Sequence, residues 1–375
     1  MFLLCKRLFT KLFWLIPLKN NKIFFSSYEG KQYSCNPKAI YEQLKNEEKS
    51  YYYIWEYNSS SVPDELKQNV IIVKHNSLSY FYHLLTAKYI ITNSGISAAI
   101  SLRKEQVCVN TWHGGGAYKK VGAVVDEKVN GTVCKELAII AKQTSYFLSS
   151  SQEFTKVMEK STFIPRNKFL NIGMPRNDIF FAPSKMENLR KKVRDYCNLS
   201  DEKKVVLFAP TYRGKSGNMH YSTLIPDIDN LTRALKSKFG GEWVVLYRSH
   251  YYKTTVENNP SIIDVSEYQD MQELLCLADV LITDYSSCIW DYSLIFRPCF
   301  LFVPDLEEYE NERGGFYTQI STWPGIVCKN DEELAKKIFY YDRVEYIQKV
   351  KIHHSSLVSY DKGTATEHLL RALSL

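Results

Sequence analysis

Residues 278–296 read ADVLITDYSSCIWDYSLIF, and their pattern indicates the fold. Residues 280–282 form a short apolar run typical of a buried strand, which ends at the polar corner 283–287. Apolar residues recur at helical spacing after the corner, so a helix is predicted there. A helix that begins where a strand ends points backbone N–H groups and hydroxyls outward, which makes Ser286 and Ser287 candidate ligands of a phosphate. A plain helix cap is the alternative interpretation.

Short apolar runs alternate with helical stretches along the rest of the chain. We predict strands at 22–26, 51–57, 70–74, 89–93, 107–112, 147–150, 169–172, 205–209, 243–247, 262–265, 280–283 and 300–303. We predict helices at 37–46, 77–86, 133–142, 153–160, 187–196, 230–239, 271–277 and 332–340. This alternation is typical of mostly parallel sheets covered by helices on both faces.

The length of the chain favours two domains, because 375 residues are too many for one ordinary core. We therefore predict an α/β fold with two doubly wound domains, 21–198 and 199–375, separated at the polar run 198–204. The carboxyl ends of their strands are expected to face each other across a ligand-binding cleft. In an alternative arrangement, the final helices pack back on the N-terminal domain.

Composition and charge narrow the class of protein. The nine cysteines occur singly, with no Cys-x-x-Cys pair, and are typical of reduced packing residues in a cytoplasmic protein. A net charge of +7 suits anionic partners such as nucleotides, phosphorylated substrates or an acidic membrane face. Nucleic acid is not expected as a partner, because the sequence has no Arg-rich helix, zinc finger or RNA-binding aromatic motif.

The first twenty residues are apolar and basic. Residues 1–18 are rich in Phe, Leu and Trp but contain Lys6, Arg7 and Lys11 and end at Pro17 and Leu18. A spanning helix needs about 20 mostly uncharged residues, so we predict that 1–20 lies on the membrane surface. The alternative is an amphipathic helix packed on the protein itself.

Several other predicted strands end in polar side chains that suit an anion. His113 and three glycines follow 107–112, Pro210 and Thr211 follow 205–209, and Arg248, Ser249 and His250 follow 243–247. Residues 173–178, which include Arg176, follow 169–172. One such corner is commonly a hydrogen-bonded loop or a surface ion pair. Several together indicate one convergent anion site.

Other polar pairs in the sequence have simpler interpretations. Asp227 and Asp229 resemble a metal-binding pair, but their place before a predicted helix favours an N-cap and a first-turn acid. His353 and His354 lie in a polar helix and are expected to be solvated. The three glycines do not fit the spacing of known phosphate-binding loops.

An ordered set of these motifs resembles the CDP-glycerol glycerophosphotransferase family. The set is Gly30-Lys31-x-Tyr33-x-x-Asn36-Pro37-Lys38, Thr111-Trp112-His113-Gly114 with Lys119-Lys120-x-Gly122, Gly173-x-Pro175-Arg176-Asn177-Asp178, Ala209-Pro210-Thr211-Tyr212-Arg213, Arg248-x-His250, Ile282-Thr283-Asp284-Tyr285-Ser286-Ser287 with Asp291, and Arg313-Gly314-Gly315-Phe316-Tyr317. Each motif is weak alone, but the ordered set is specific and extends from residue 22 to about 368.

The resemblance implies a GT-B-like fold and a reaction. A polyol phosphate passes from CDP-glycerol or CDP-ribitol to a hydroxyl of a lipid-linked or polymeric acceptor, and CMP is released. The resemblance also implies wall teichoic acid or teichoic-acid-like capsule assembly as the setting, and a place on the inner face of the cytoplasmic membrane. The resemblance makes His113 the general base and His250 a second catalytic residue, which holds the donor pyrophosphate or supports the transition state. It assigns these residues to CDP-glycerol: Arg176, Pro210, Thr211, Arg248, Ser249, Ser286, Ser287 and Asp291, with the backbone of Gly114, Gly115, Gly116 and Ala117 near the transferred group.

Two further expectations accompany this resemblance. Arginines, histidine and a helix N-terminus supply positive charge at a transferring phosphate, so no obligatory metal or other cofactor is expected. Many family members have Thr-Pro after the His-Gly pair, where this chain has Gly115-Gly116. That departure leaves the identity of the polyol and the acceptor open.

Two other functions stay open from the sequence. A GT-B nucleotide-sugar transferase or epimerase shares the expected fold and prefers a UDP-sugar to a CDP-polyol. A membrane-surface protein without enzymatic activity could bind an anionic polymer through Lys119, Lys120 and the N-terminal segment. Its binding would weaken steeply with salt.

Overall fold

A computed structural model describes residues 2–46, 50–125, 131–211, 225–249 and 261–375. The chain forms two compact units. The first unit comprises residues 1–113, 121–178 and 359–375, and the second comprises 114–120 and 179–358. The division therefore lies at 178/179 and not at the predicted 198/199, and the last residues belong to the first unit.

The first unit contains a seven-stranded sheet in which every pair of neighbouring strands is parallel. Its strands are β1 (Lys19–Ser26), β2 (Tyr52–Glu56), β3 (Val70–Val73), β4 (Ala87–Thr92), β5 (Val107–Asn110), β6 (Tyr146–Leu148) and β7 (Phe169–Leu170). They are ordered β3-β2-β1-β4-β5-β6-β7. Alternate residues of β1 enter two separate cores, Ile23 and Phe25 in one and Phe24 in the other, as a strand covered on both faces requires.

Helices cover both faces of this sheet. They are α1 (Phe2–Leu12), α2 (Cys35–Leu44), α3 (Leu78–Thr86), α4 (Gly131–Gln143) and α5 (Gln152–Thr162). Ser77 and Ser151 begin α3 and α5 by accepting a hydrogen bond from the backbone N–H three residues later. The chain reversals between helix and parallel strand place the carboxyl ends of all seven strands at one edge.

The second unit repeats this plan with six parallel strands. They are β8 (Lys204–Ala209), β9 (Trp243–Tyr247), β10 (Ile262–Asp264), β11 (Val280–Thr283), β12 (Cys299–Phe302) and β13 (Ile326–Cys328), ordered β10-β9-β8-β11-β12-β13. Its helices are α6 (Pro183–Tyr196), α7 (Ile228–Phe239), α8 (Met271–Leu277), α9 (Cys288–Ser293), α10 (Leu306–Arg313), α11 (Asp331–Phe339) and α12 (Arg343–Leu357). A last helix, α13 (Ala365–Leu373), returns to the first unit.

The predicted elements are present, with differences at their ends. Strand β5 stops at Asn110 because the Asn110 side chain accepts from the Trp112 N–H (3.0 Å) and Trp112 turns to a positive φ of 54°. Strand β13 has only three residues and was not predicted. Asp227 caps α7 by accepting from the Asn230 N–H, which confirms the predicted N-cap.

The N-terminal segment is part of the first unit and not a separate domain. Arg7 of α1 donates to the Ala98 carbonyl (2.6 Å), and buried Thr10 accepts from the Ser101 N–H (3.1 Å). Arg103 donates in turn to the carbonyls of Phe13 and Ile16, both at 2.5 Å. One face of α1 is therefore packed on the protein, which was the alternative interpretation. Within the described residues, no helix has the length and apolar content that crossing a membrane requires.

Candidate active site

His113 follows β5 at the carboxyl edge of the first sheet. Its Nδ1 lies 2.8 Å from the Asn93 carbonyl oxygen, at the end of neighbouring β4. A carbonyl oxygen can only accept, so Nδ1 carries the proton and the basic lone pair lies on Nε2. The ring stacks on Trp112 with centroids 4.7 Å apart, and its side chain is half-buried. The imidazole is thus held in one orientation and one tautomer.

Arg176 holds the main chain of His113. Its Nη1 donates to the His113 carbonyl oxygen at 2.7 Å, and its own backbone N–H donates to Asn36 Oδ1 at 3.0 Å. The Asn36 amide donates to the carbonyls of Thr111 (3.2 Å) and Trp112 (3.0 Å). Arg176 is only 5% exposed. The structure therefore brings two predicted site residues, His113 and Arg176, into direct contact.

The residues that follow His113 belong to the second unit. Gly114, Gly115, Gly116 and Ala117 are buried, and Lys119 and Lys120 are half-buried. Lys119 forms an antiparallel bridge with Phe316, and the Lys120 N–H donates to the Gly315 carbonyl at 3.4 Å. The predicted donor-binding backbone and the predicted acceptor lysines are consequently part of one short segment.

Asp284 joins two strand ends in the second unit. Its carboxylate accepts from the Thr211 N–H (2.8 and 2.9 Å) after β8 and from the Tyr285 N–H (2.5 Å) after β11. These strands are neighbours at the point where the strand order reverses, and doubly wound folds bind ligands at such a point. The predicted ligands there are half-buried: Pro210, Thr211, Ser286 and Ser287.

The remaining predicted donor ligands lie on separate local networks. Arg248 donates to the Gln269 carbonyl (3.1 Å), and the Ser249 N–H donates to Ser266 Oγ (2.9 Å). Asp291 is 2% exposed and accepts from the Gln272 amide (3.1 Å). Their contact with the donor stays a prediction. His250, Tyr212 and Arg213 lie outside the described residues.

Metal-ligating side chains do not cluster in the part of the chain that the structure describes. No three His, Cys, Asp or Glu residues come together there as a metal site. The expectation of a reaction without an obligatory metal stays a prediction.

Comparison with known proteins decides the family. The family profile described as CDP-glycerol:poly(glycerophosphate) glycerophosphotransferase matches residues 8–375. This chain belongs to that family. The glycerophosphotransferase is 28% identical over 374 residues to a teichoic acid poly(glycerol phosphate) polymerase of Bacillus spizizenii, a match that covers 96% of the chain and 93% of that protein. It is 30% identical over 369 residues to the polymerase of the same name from Staphylococcus epidermidis, where 94% of the chain spans only 50% of the relative.

Solved structures agree with the family. The wall teichoic acid polymerase TagF superimposes with a TM-score of 0.83 at 28% identity, and the match covers 97% of this chain and 92% of that one. A His-to-Asn variant of TagF has been solved after soaking with CDPG. The predicted family, the GT-B-like α/β fold and the predicted enzyme class, a glycerophosphotransferase, are confirmed.

Two residues that hold the candidate site together were given no role from the sequence. Asn93 fixes the His113 ring, and Asp284 fixes the two strand ends. Both are polar residues directly after a buried strand, so their positions could have been noticed, but their acceptor roles depend on neighbouring strands.

One prediction about the glycerophosphotransferase was wrong. His353 was expected to be solvated, but it is 6% exposed, and its burial lowers its pKa to about 4. His354 is partly buried against Trp290, with a pKa lowered by burial to about 3, and its Nε2 lies 2.7 Å from Ser293 Oγ. The polar composition of α12 does not indicate these contacts, because they are made with residues of the second unit that are distant in the sequence.

Proposed function

We propose that this glycerophosphotransferase transfers glycerol phosphate from CDP-glycerol to a hydroxyl of a lipid-linked or polymeric acceptor in wall teichoic acid assembly. The two relatives described above support glycerol as the polyol, because both are named poly(glycerol phosphate) polymerases. The CDPG-soaked TagF structure supports the donor. Assembly of a teichoic-acid-like capsule is the related setting.

The tautomer of His113 is the observation that carries the proposal. With its proton fixed on Nδ1 by the Asn93 carbonyl, His113 presents Nε2 as a proton acceptor. The acceptor hydroxyl gives its proton to Nε2 as its oxygen bonds to the phosphorus that carries glycerol. The bond from that phosphorus to the bridging oxygen breaks, and CMP leaves with the electron pair. Histidine suits this role because its imidazole can accept and release a proton near neutral pH.

The second unit supplies the donor-binding groups in this proposal. Thr211 contributes its side chain to the donor. Its backbone N–H already donates to the Asp284 carboxylate. Arg248, Ser286 and Ser287 add donors suited to phosphate oxygens. Asp284 acts as a brace that keeps the ends of β8 and β11 at a fixed separation. Arg176 contributes by holding the His113 carbonyl.

The experiment is a CMP-release assay with purified protein and a lipid-linked glycerol-phosphate acceptor. We expect CMP from CDP-glycerol, less from CDP-ribitol, and no UDP from a UDP-sugar. Chain extension of the acceptor, measured by mass spectrometry, confirms transfer. UDP release from the UDP-sugar, or equal CMP release with and without acceptor, would contradict the proposal.

We further propose that α1 holds the enzyme on the inner face of the cytoplasmic membrane. Its protein-facing contacts leave one stripe of leucines exposed, at 63% for Leu4, 55% for Leu8, 63% for Leu12 and, just beyond the helix, 87% for Leu15. Lys11 lies in the last turn of this helix. Exposed leucines beside a lysine suit the interface of an anionic bilayer.

Vesicle co-sedimentation tests this membrane proposal. Leu8→Ser with Leu12→Ser should weaken binding to phosphatidylglycerol-containing vesicles about tenfold, because two apolar side chains no longer enter the bilayer. Ile352→Ser removes a 58% exposed apolar side chain from the second unit and serves as the control. Equal binding by both variants would contradict the proposal.

A further inference from the structure

The segment 114–120 is an excursion of the chain. His113 is the last residue of its stretch in the first unit, the next seven residues group with the second unit, and Val121 returns to the first. His113 is held in the first unit by Asn93 and Arg176. The residues between His113 and Tyr118 are three glycines and one alanine. Glycines allow many backbone conformations, so something outside the segment has to select one.

Two aromatic rings select the path of the glycines. A Cβ atom at Gly115 would lie 2.1 Å from Cδ1 of Trp290, and one at Gly116 would lie 2.6 Å from the ring of Tyr118. Gly116 also has a φ of +66°, which disfavours other residues. Trp290 is fully buried and cannot move aside. Packing against these rings thus requires glycine at both 115 and 116.

Tyr118 is the anchor of the excursion. Its ring is 4% exposed and packs on Trp323 with centroids 4.5 Å apart. Its carbonyl accepts from the Tyr317 N–H at 2.8 Å. Its hydroxyl lies 3.0 Å from Nε2 of His353, so both its main chain and its side chain are bound within the second unit.

His353 links the Tyr118 hydroxyl to the backbone of the second unit. Its Nδ1 lies 2.8 Å from the Thr322 carbonyl, which can only accept, so the proton is on Nδ1. Nε2 is then the acceptor for the Tyr118 hydroxyl. Because burial keeps His353 neutral near pH 7, this chain of bonds has one direction: Tyr118 donates to His353, and His353 donates to Thr322.

We propose that Tyr118 and His353 are positioning residues of the transfer reaction, which hold the glycine backbone after His113 in the conformation that meets the transferred phosphate. This inference rests on the proposed function and on the predicted place of the 114–117 backbone near the transferred group. Neither side chain touches the reacting atoms in it. Fixed backbone donors stabilise developing charge only if they do not have to reorganise, and three consecutive glycines reorganise easily unless their far end is held. The anchor therefore acts on turnover and not on donor affinity.

Steady-state kinetics of Tyr118→Phe tests the inference. This variant loses only the hydroxyl. We expect kcat to fall about tenfold with KM for CDP-glycerol unchanged, the pattern of an interaction that matters in the transition state. Tyr346→Phe is the matched control, because buried Tyr346 of the same helix as His353 donates to the Pro324 carbonyl at 3.1 Å and not to a residue of 114–120. It should lose a similar amount of Tm and keep its kcat.

A second variant keeps the test decisive. His353→Phe retains a ring but removes both hydrogen bonds, and its kcat loss should not add to that of Tyr118→Phe in the double variant. A kcat for Tyr118→Phe within twofold of Tyr346→Phe, or a raised KM at constant kcat, overturns the inference. His113→Ala separates the two proposals. If it keeps full turnover, the proposed function fails. If it loses turnover while Tyr118→Phe matches its control, only the positioning inference fails.

Discussion

The Nδ1 atoms of His113 and His353 make the same kind of hydrogen bond, but the two side chains differ in burial and in their other neighbours. In both, Nδ1 lies 2.8 Å from a main-chain carbonyl oxygen, which fixes the same tautomer with the lone pair on Nε2. His113 is half-buried at a strand end, whereas His353 is 6% exposed, with Nε2 against the Tyr118 hydroxyl. The tautomer leaves Nε2 as a hydrogen-bond acceptor, and exposure decides whether a substrate hydroxyl or a neighbouring side chain can donate to it.

The largest expected effect is on turnover at His113. His113→Ala should lower CMP release by at least about 100-fold, the scale of a lost general base, while Tm stays within a few degrees. Imidazole added to the assay should restore part of the activity, because the position is only partly buried. His353→Ala, at a buried position, should not respond to imidazole. Near-normal turnover in His113→Ala would contradict the role of His113 as the general base.

A smaller effect is expected where His113 is held. Arg176→Lys removes the planar group that reaches the His113 carbonyl, so kcat should fall about tenfold as the base loses its position. Arg194→Lys is the control. Arg194 is likewise buried and donates to the carbonyls of Ser200 (2.7 Å) and Lys203 (2.9 Å) in the second unit. It should lower Tm alone, and an equal kcat loss in both variants would show that Arg176 has no specific role.

A third expected effect is on stability in acid. The pKa values of His353 and His354, about 4 and about 3 in the folded chain, lie below the ordinary 6.5. The unfolded chain therefore binds more protons below pH 6.5, so the stability contribution is complete above that pH and is lost as the pH falls toward 4. Between pH 7 and pH 5 we expect a loss of about 2 kcal/mol for each histidine.

Urea denaturation at the two pH values measures this loss. The first unit offers an internal contrast, because burial lowers the pKa of His83 to about 4 while the Glu56 hydrogen bond raises that of His75, with opposite effects on stability. A His353→Phe, His354→Phe variant should show a flatter pH dependence. An unchanged slope in that variant would mean that these histidines are not buried in the neutral form.

Local pattern predicted the sheets well and the contacts between distant segments poorly. Runs such as 243–247 predicted strands because a fully buried parallel strand is apolar along its length. The strand-end positions of His113, Thr211 and Ser286 followed from the same logic. The partners of His113 and Thr211 did not, since Asn93 and Asp284 are brought to them by the fold.

The membership of residues 114–120 in the second unit was the least predictable feature. Sequence continuity places a loop with the strand before it, and here that strand is β5 of the first unit. Contacts with Trp290, Tyr118 and Phe316 place the segment in the second unit instead. The same kind of packing buries His353 in a helix whose composition is polar.

The return of α13 to the first unit sets an order on folding during synthesis. Asp178 accepts from the N–H groups of Ala365 and Thr366 at the start of α13 (2.9 and 2.8 Å), and Leu369, Leu370 and Leu373 enter the core formed by the first sheet. The second unit has all its residues by Val358. On the ribosome, the unit that emerges first must therefore wait for the last helix to complete its core, while the later unit can finish before it.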